Sequence, residues 1–120
     1  MKNIGFIGLG NMGYHMSNNL LNNDFHVSGY DQNFDLYKNY ENSNFFGCEN
    51  LTELSKNKDV IITMLPDGSS VNEIFSKLLE KLDKKTILID CSTIDINTCK
   101  LLHKKCKEKN INFLDAPVSG

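Results

Sequence analysis

Ile4-Gly5-Phe6-Ile7-Gly8-Leu9-Gly10-Asn11-Met12-Gly13 is the stretch that decides the fold of this 120-residue chain. Residues 4–7 read as a short buried strand, and glycines at 8, 10 and 13 follow it at once. Met12, Met16 and Leu20 come next at helical spacing and are expected to line the buried face of a first helix. A strand that passes through a glycine turn straight into a helix opens a parallel β-α-β unit. Three glycines at this spacing arise often by chance. Their place between strand and helix is what gives the pattern weight.

Outward from that turn the alternation repeats. Runs at 26–30, 60–65, 86–90 and 112–114 read as strands of a parallel sheet, whose two covered faces favour continuous apolar character. Between them, Val71, Ile74, Phe75, Leu78, Leu79 and Leu82 fall on one helical stripe. Phe34 with Tyr37, and Leu51 with Leu54, mark two brief helices, and a last helix over 95–109 is expected to bury Cys99, Leu102 and Cys106. This order predicts an α/β chain with a doubly wound, mostly parallel sheet of Rossmann type. Ligands of such sheets bind at the carboxyl ends of the strands.

Composition sets the outer bounds. With 40% apolar residues the chain suits one domain with its own core. The net charge is −2, and Lys100, Lys104, Lys105, Lys107 and Lys109 read as the solvated face of the last helix, so nucleic acid is not an expected partner. No apolar run approaches the roughly 18–20 residues of a membrane span, and the first strand starts too early to leave room for a leader; a cytoplasmic protein away from membranes is expected. Cys48, Cys91, Cys99 and Cys106 form no Cys-x-x-Cys pair, and His26 and His103 match no ligand or catalytic pattern. Neither a metal site nor a disulfide is therefore expected, and Cys91 reads as core. The abundant Asn, as in Asn18-Asn19 and Asn22-Asn23, reads as compositional background.

The glycines divide the work of a dinucleotide site. Gly8 permits the tight turn, Gly10 lets a pyrophosphate approach bare backbone, and Gly13 lets the helix press on the strand. The anion meets unpaired amides and the positive end of the helix dipole, worth about 1 kcal/mol or more. Asp31 follows the second strand at close to the ~20-residue offset of a carboxylate that binds the adenosine ribose. It accepts from both ribose hydroxyls and repels a 2′-phosphate, and no Arg stands nearby, so NAD is expected ahead of NADP. Asp31 is equally placed as a turn residue or as the cap of a helix near Phe34, roles compatible with ribose binding. Leu65-Pro66 and Ser92-Thr93 stand at further strand ends; Ser92 or Thr93 could instead cap the helix that starts near Asp95.

Four ordered blocks span the chain: Phe6 through Gly13, then Ile62-Thr63-Met64-Leu65-Pro66, then Ile89-Asp90-Cys91-Ser92-Thr93-Ile94-Asp95, and last Asp115-Ala116-Pro117-Val118-Ser119-Gly120. Together they resemble the 3-hydroxyisobutyrate dehydrogenase group of the β-hydroxyacid dehydrogenase family. The resemblance implies hydride transfer between NAD and a short β-hydroxy acid. It implies cofactor contacts from Gly8, Gly10, Asn11, Met12, Gly13, Asp31, Leu65, Pro66 and Thr93, and substrate-carboxylate contacts from Ser119 and Gly120. The family's proton-transferring lysine sits on the helix leading into a second, helical domain, and no position here matches it. Residues 1–120 are accordingly expected to be a cofactor domain incomplete at its C-terminal end, without a catalytic residue and inactive alone, of a protein that forms homo-oligomers. His15, Cys91 and Ile96 depart from the family's usual Pro, Ser and Pro. Two other functions remain open at this point: a catalytically silent scaffold of the same fold, and a sister reductase of tartronate semialdehyde, glyoxylate or 6-phosphogluconate type.

Overall fold

The computed structural model describes residues 2–118. Ser119 and Gly120 lie outside the described residues. Six strands, β1 (Asn3–Ile7), β2 (His26–Tyr30), β3 (Phe45–Gly47), β4 (Val60–Thr63), β5 (Ile87–Asp90) and β6 (Asn112–Asp115), form one parallel sheet in the order β3-β2-β1-β4-β5-β6. The chain winds outward from β1 to one edge and then, from β4, to the other. Between β1 and β4 the winding reverses, and there a crevice opens at the carboxyl edge.

Strand pleating sorts the side chains into two cores. Ile4 and Phe6 turn to one face and pack with Leu9, Leu21 and Val27 under α1 (Asn11–Asn22). Ile7, Ile61 and Leu88 turn to the other, against α2 (Leu51–Ser55), α3 (Gly68–Leu78) and α4 (Ile96–Glu108). Burial pushes the Cys48 and Cys106 thiols in this second core up to about 11, so both stay protonated and inert. On the α1 face the far half of the sheet is less covered: Ile87 and Ile89 are half-buried, and Leu114 is exposed.

Several expectations shift in register. β3 was not anticipated, because three residues on a sheet edge carry no usable periodicity; it is held through Val27↔Phe45 to Gly29↔Gly47. The buried face of α1 centres on Gly13, Ser17 and Leu21; Met16 and Leu20 pack partly buried along its margin, and of the expected residues only Met12 falls outside it. A Cβ on Gly13 would run into the Gly8 carbonyl, so the helix rolls that glycine inward and leaves Met12 exposed. The stripe on α3 packs as expected, but the helix stops at Leu78, and Leu79 and Leu82 reach the core from the turns that follow. Phe34–Asn39 is a 3-10 helix. On α4, Leu102 and Cys106 are buried, whereas Cys99 is only half-buried. Asn is more than background: Asn33 and Asn50 cap helices through their side chains, and Asn57 and Asn110 adopt the left-handed conformation (φ 54° and 58°) that Asn tolerates best after Gly.

Candidate functional site

At the crevice, β1 ends in Gly8 with φ +98°, a conformation favourable only to glycine, and its amide donates to the Tyr30 carbonyl at 3.0 Å. A Cβ there would also strike the Met64 carbonyl. Gly8 and Gly13 are thus demanded by the protein's own backbone. Gly10 is different. Its φ of −68° suits any residue, and a Cβ on it would meet nothing within 4 Å. Gly10 is also the N-cap of α1, which begins with no side-chain cap and no acid in its first turn. The other α-helices are capped by Asn50, Asp67 and Asp95. Bare amides at a helix start, beside a glycine the fold does not require, make a concave, electropositive place for an anion.

Asp31 closes the turn from β2. Its Oδ2 accepts from the Leu9 amide and its Oδ1 from the Asn33 amide, both at 2.9 Å, so the carboxylate ties the glycine loop to the end of β2. The turn role holds and the capping role does not, since Asn33 caps the 3-10 helix. Each oxygen keeps a lone pair for a ligand hydroxyl. Tyr37 steadies this corner: its hydroxyl donates to the Cys48 carbonyl at 2.6 Å and accepts from the Asp31 amide at 3.3 Å, and burial holds the phenol above its ordinary pKa.

Two clefts meet over Gly8, Asp31, Leu65 and Pro66. One, of about 360 Å³, runs between Gly10–Gly13 and Met64. The other, of about 330 Å³, lies between Tyr30 and Gln32 on one side and Leu51 and Ile74 on the other. Eight predicted residues, Gly8, Gly10, Asn11, Met12, Gly13, Asp31, Leu65 and Pro66, therefore converge. Thr93 is exposed at the same sheet edge but borders neither cleft. Lys77 and Glu73, 3.4 Å apart on α3, also border the second cleft; nothing in their sequence context distinguishes them from a solvated helix face.

Behind the clefts lies a buried brace that the sequence did not reveal. Asp90 Oδ1 accepts from Thr63 Oγ1 at 2.8 Å and from the Ser92 amide at 3.1 Å. Ser92 Oγ in turn accepts from the Leu65 amide at 2.8 Å and holds the Leu65-Pro66 turn in place. Ser92 and Thr93 do not cap α4; Asp95 does. Cys91 is buried core, as expected, and burial raises its pKa, with the Asp90 carboxylate adding to the effect.

The mitochondrial 3-hydroxyisobutyrate dehydrogenase of Drosophila melanogaster is 39% identical across 99% of this chain and 37% of its own length. That of Mus musculus is 38% identical across 98% and 36%. The solved structure of 3-hydroxyisobutyrate dehydrogenase from Mycobacterium tuberculosis with L-serine superposes with a TM-score of 0.90 at 33% identity, over all of this chain and 41% of that one. An imine reductase from Myxococcus stipitatus in complex with NADP+ shares the fold at a TM-score of 0.87 and 13% identity. The chain thus spans little more than a third of the length of the curated relatives it matches. The model of the NAD binding domain of 6-phosphogluconate dehydrogenase matches residues 3–120, and the chain belongs to that family.

Proposed function

We propose that this chain is the NAD-binding part of an oxidoreductase that transfers hydride between NAD and a short β-hydroxy acid of the 3-hydroxyisobutyrate kind. The supporting observation is Gly10, bare and open to solvent at the uncapped start of α1. In this reading the first-turn amides of Asn11, Met12 and Gly13 hold the pyrophosphate, and Met12 and Pro66 flank it. Asp31 takes the adenosine ribose, Leu51 and Ile74 receive the adenine, and Leu65 and Thr93 follow the cofactor towards its nicotinamide. Asp31 and Glu73 against the single Lys77 leave the ribose cleft net negative, which favours NAD over its 2′-phosphorylated form. When bound, the nicotinamide supplies the hydride acceptor, and the protein's part is to orient it.

Ser119 and Gly120 are proposed to hold the substrate carboxylate. The 120-residue chain alone is proposed to bind cofactor without turnover, because no residue matches the family's lysine; a positioned acid is commonly worth about 10²- to 10⁴-fold. A longer protein built on this domain is proposed to act as a homo-oligomer in the cytoplasm, to be checked by sedimentation and fractionation. The deciding measurement is calorimetric titration of the chain with NAD and NADP, beside an assay of hydroxyisobutyrate oxidation. NAD binding in preference to NADP, without turnover, is expected. Absence of heat and of any melting shift at millimolar NAD would refute the binding role, and turnover would refute the inactivity.

A further inference from the structure

Away from the clefts, α4 and β6 bring together three side chains of metal-ligand chemistry. Cys99 and His103 stand one helical turn apart on α4, and Asp115 is the last residue of β6. A thiol sulfur, an imidazole nitrogen and a carboxylate oxygen from these residues all lie within 4.8 Å of one another, and His103 Nε2 is 3.1 Å from Asp115 Oδ1. The ring of Phe113 packs on His103 with centroids 4.6 Å apart, which restrains the imidazole plane. Asp115 pairs in register with Asp90, so a second carboxylate lies across the strand; among the described residues Asp90 Oδ2 has no partner. The three residues come from two elements and border neither cleft of the glycine turn.

We propose that Cys99, His103 and Asp115 bind one divalent ion of the zinc class. Ligand chemistry selects that class: thiolate and imidazole suit Zn²⁺ and Co²⁺, whereas Mg²⁺ and Ca²⁺ require shells of oxygen. Tetrahedral bonds of about 2.0–2.3 Å place ligand atoms roughly 3.3–3.6 Å apart. The His103–Asp115 pair already stands near that spacing, and the Cys99 sulfur, within 4.8 Å of both, has only a short gap to close on binding. The His103 and Asp115 side chains are 48% and 43% exposed, which leaves the fourth position to water. Thiolate and carboxylate together neutralise the ion. On binding, the Cys99 sulfur gives its proton to solvent and its lone pair to the metal, and His103 binds as the neutral ring. The outcome is a clip between α4 and the edge strand β6, where little apolar burial holds the strand. Cys99-x-x-x-His103 alone shows half a site, since the third ligand is distant in sequence.

The test uses the tag-free 120-residue chain, stripped with chelator and titrated with Co²⁺. One equivalent is expected to produce a thiolate-to-cobalt charge-transfer band that Zn²⁺ then removes, and Zn²⁺ is expected to slow amide exchange in β6. Cys99→Ser should abolish the band and weaken Zn²⁺ binding by more than about 100-fold, since even an outer partner of a ligand is worth about 10–100-fold. Cys91→Ser should keep the band. Melting of each metal-free variant separates lost ligation from lost folding, and His103→Ala gives a second ligand deletion on an exposed side chain. No band in the parent chain, or an undiminished band in folded Cys99→Ser, would overturn the proposal and leave an ion pair beside a thiol.

Discussion

Replacing Gly10 and Gly13 separately by Ala should split binding from stability. At Gly10 the added methyl meets open space at φ −68°, so the folded chain feels only two opposed small effects. Reduced unfolded-state entropy adds about 0.4–1 kcal/mol, and the poorer N-cap removes a similar amount. At Gly13 the methyl meets the Gly8 carbonyl, a backbone atom that no rotamer change can move aside. Such overpacking costs about 1–3 kcal/mol. Unfolding entropy of about 2.1 cal/mol/K per residue over 120 residues makes each kcal/mol worth about 4 °C in Tm. Calorimetric melting should therefore place Gly10→Ala within about 4 °C of the parent and Gly13→Ala about 4–12 °C below it. NAD titration should give the opposite ranking of interest. Gly10→Ala displaces the pyrophosphate from at least one charge-assisted amide bond, worth about 1.5–3 kcal/mol, and so weakens binding roughly 10- to 150-fold in a chain that still folds. A Gly10→Ala chain that binds NAD as tightly as the parent would refute the assignment of the open space to phosphate.

Three further outcomes are expected. Asp31→Asn keeps an acceptor oxygen but drops the charge that repels a 2′-phosphate, so the NAD-to-NADP affinity ratio should fall about tenfold by titration, a loss of about 1.4 kcal/mol in discrimination; an unchanged ratio would remove Asp31 as the selector. Thr63→Val preserves shape but strips a hydrogen bond from the fully buried Asp90 carboxylate, and urea unfolding should show about 1–3 kcal/mol lost. Asp67 and Asp95 are held below the ordinary carboxylate range, Asp67 first by the Ser70 amide and Asp95 first by the Thr98 hydroxyl. A carboxyl depressed in the folded state contributes stability that is complete above its unfolded pKa of about 3.9 and is lost as pH falls through the lower folded value. The urea midpoint should thus decline below about pH 4–5, and Asp67→Asn should flatten that decline.

How much of the site was legible depended on how local its cause is. Gly8, Gly10 and Gly13 could be found because one turn imposes their spacing, and Asp31 because one β-α-β unit places it at the next strand end. Thr93 carries the same local signature, yet its side chain borders neither cleft. Lys77 and Glu73 went unseen because their place beside the second cleft depends on how α3 crosses the sheet. The Thr63–Asp90–Ser92–Leu65 brace went unseen because it joins two strands whose pairing is not written in either one.

By itself the sequence determined the alternation of strands and helices, the parallel sheet and the glycine turn, all of which follow from backbone sterics and periodicity over a few residues. Only the tertiary structure decided which way α1 rolls, which glycine the fold can spare, and that Cys99 faces His103 and Asp115 instead of the core. These are matters of contact between distant segments. A single chain position encodes its own preferences, but the atom that will lie against it is chosen by the packing of the whole sheet.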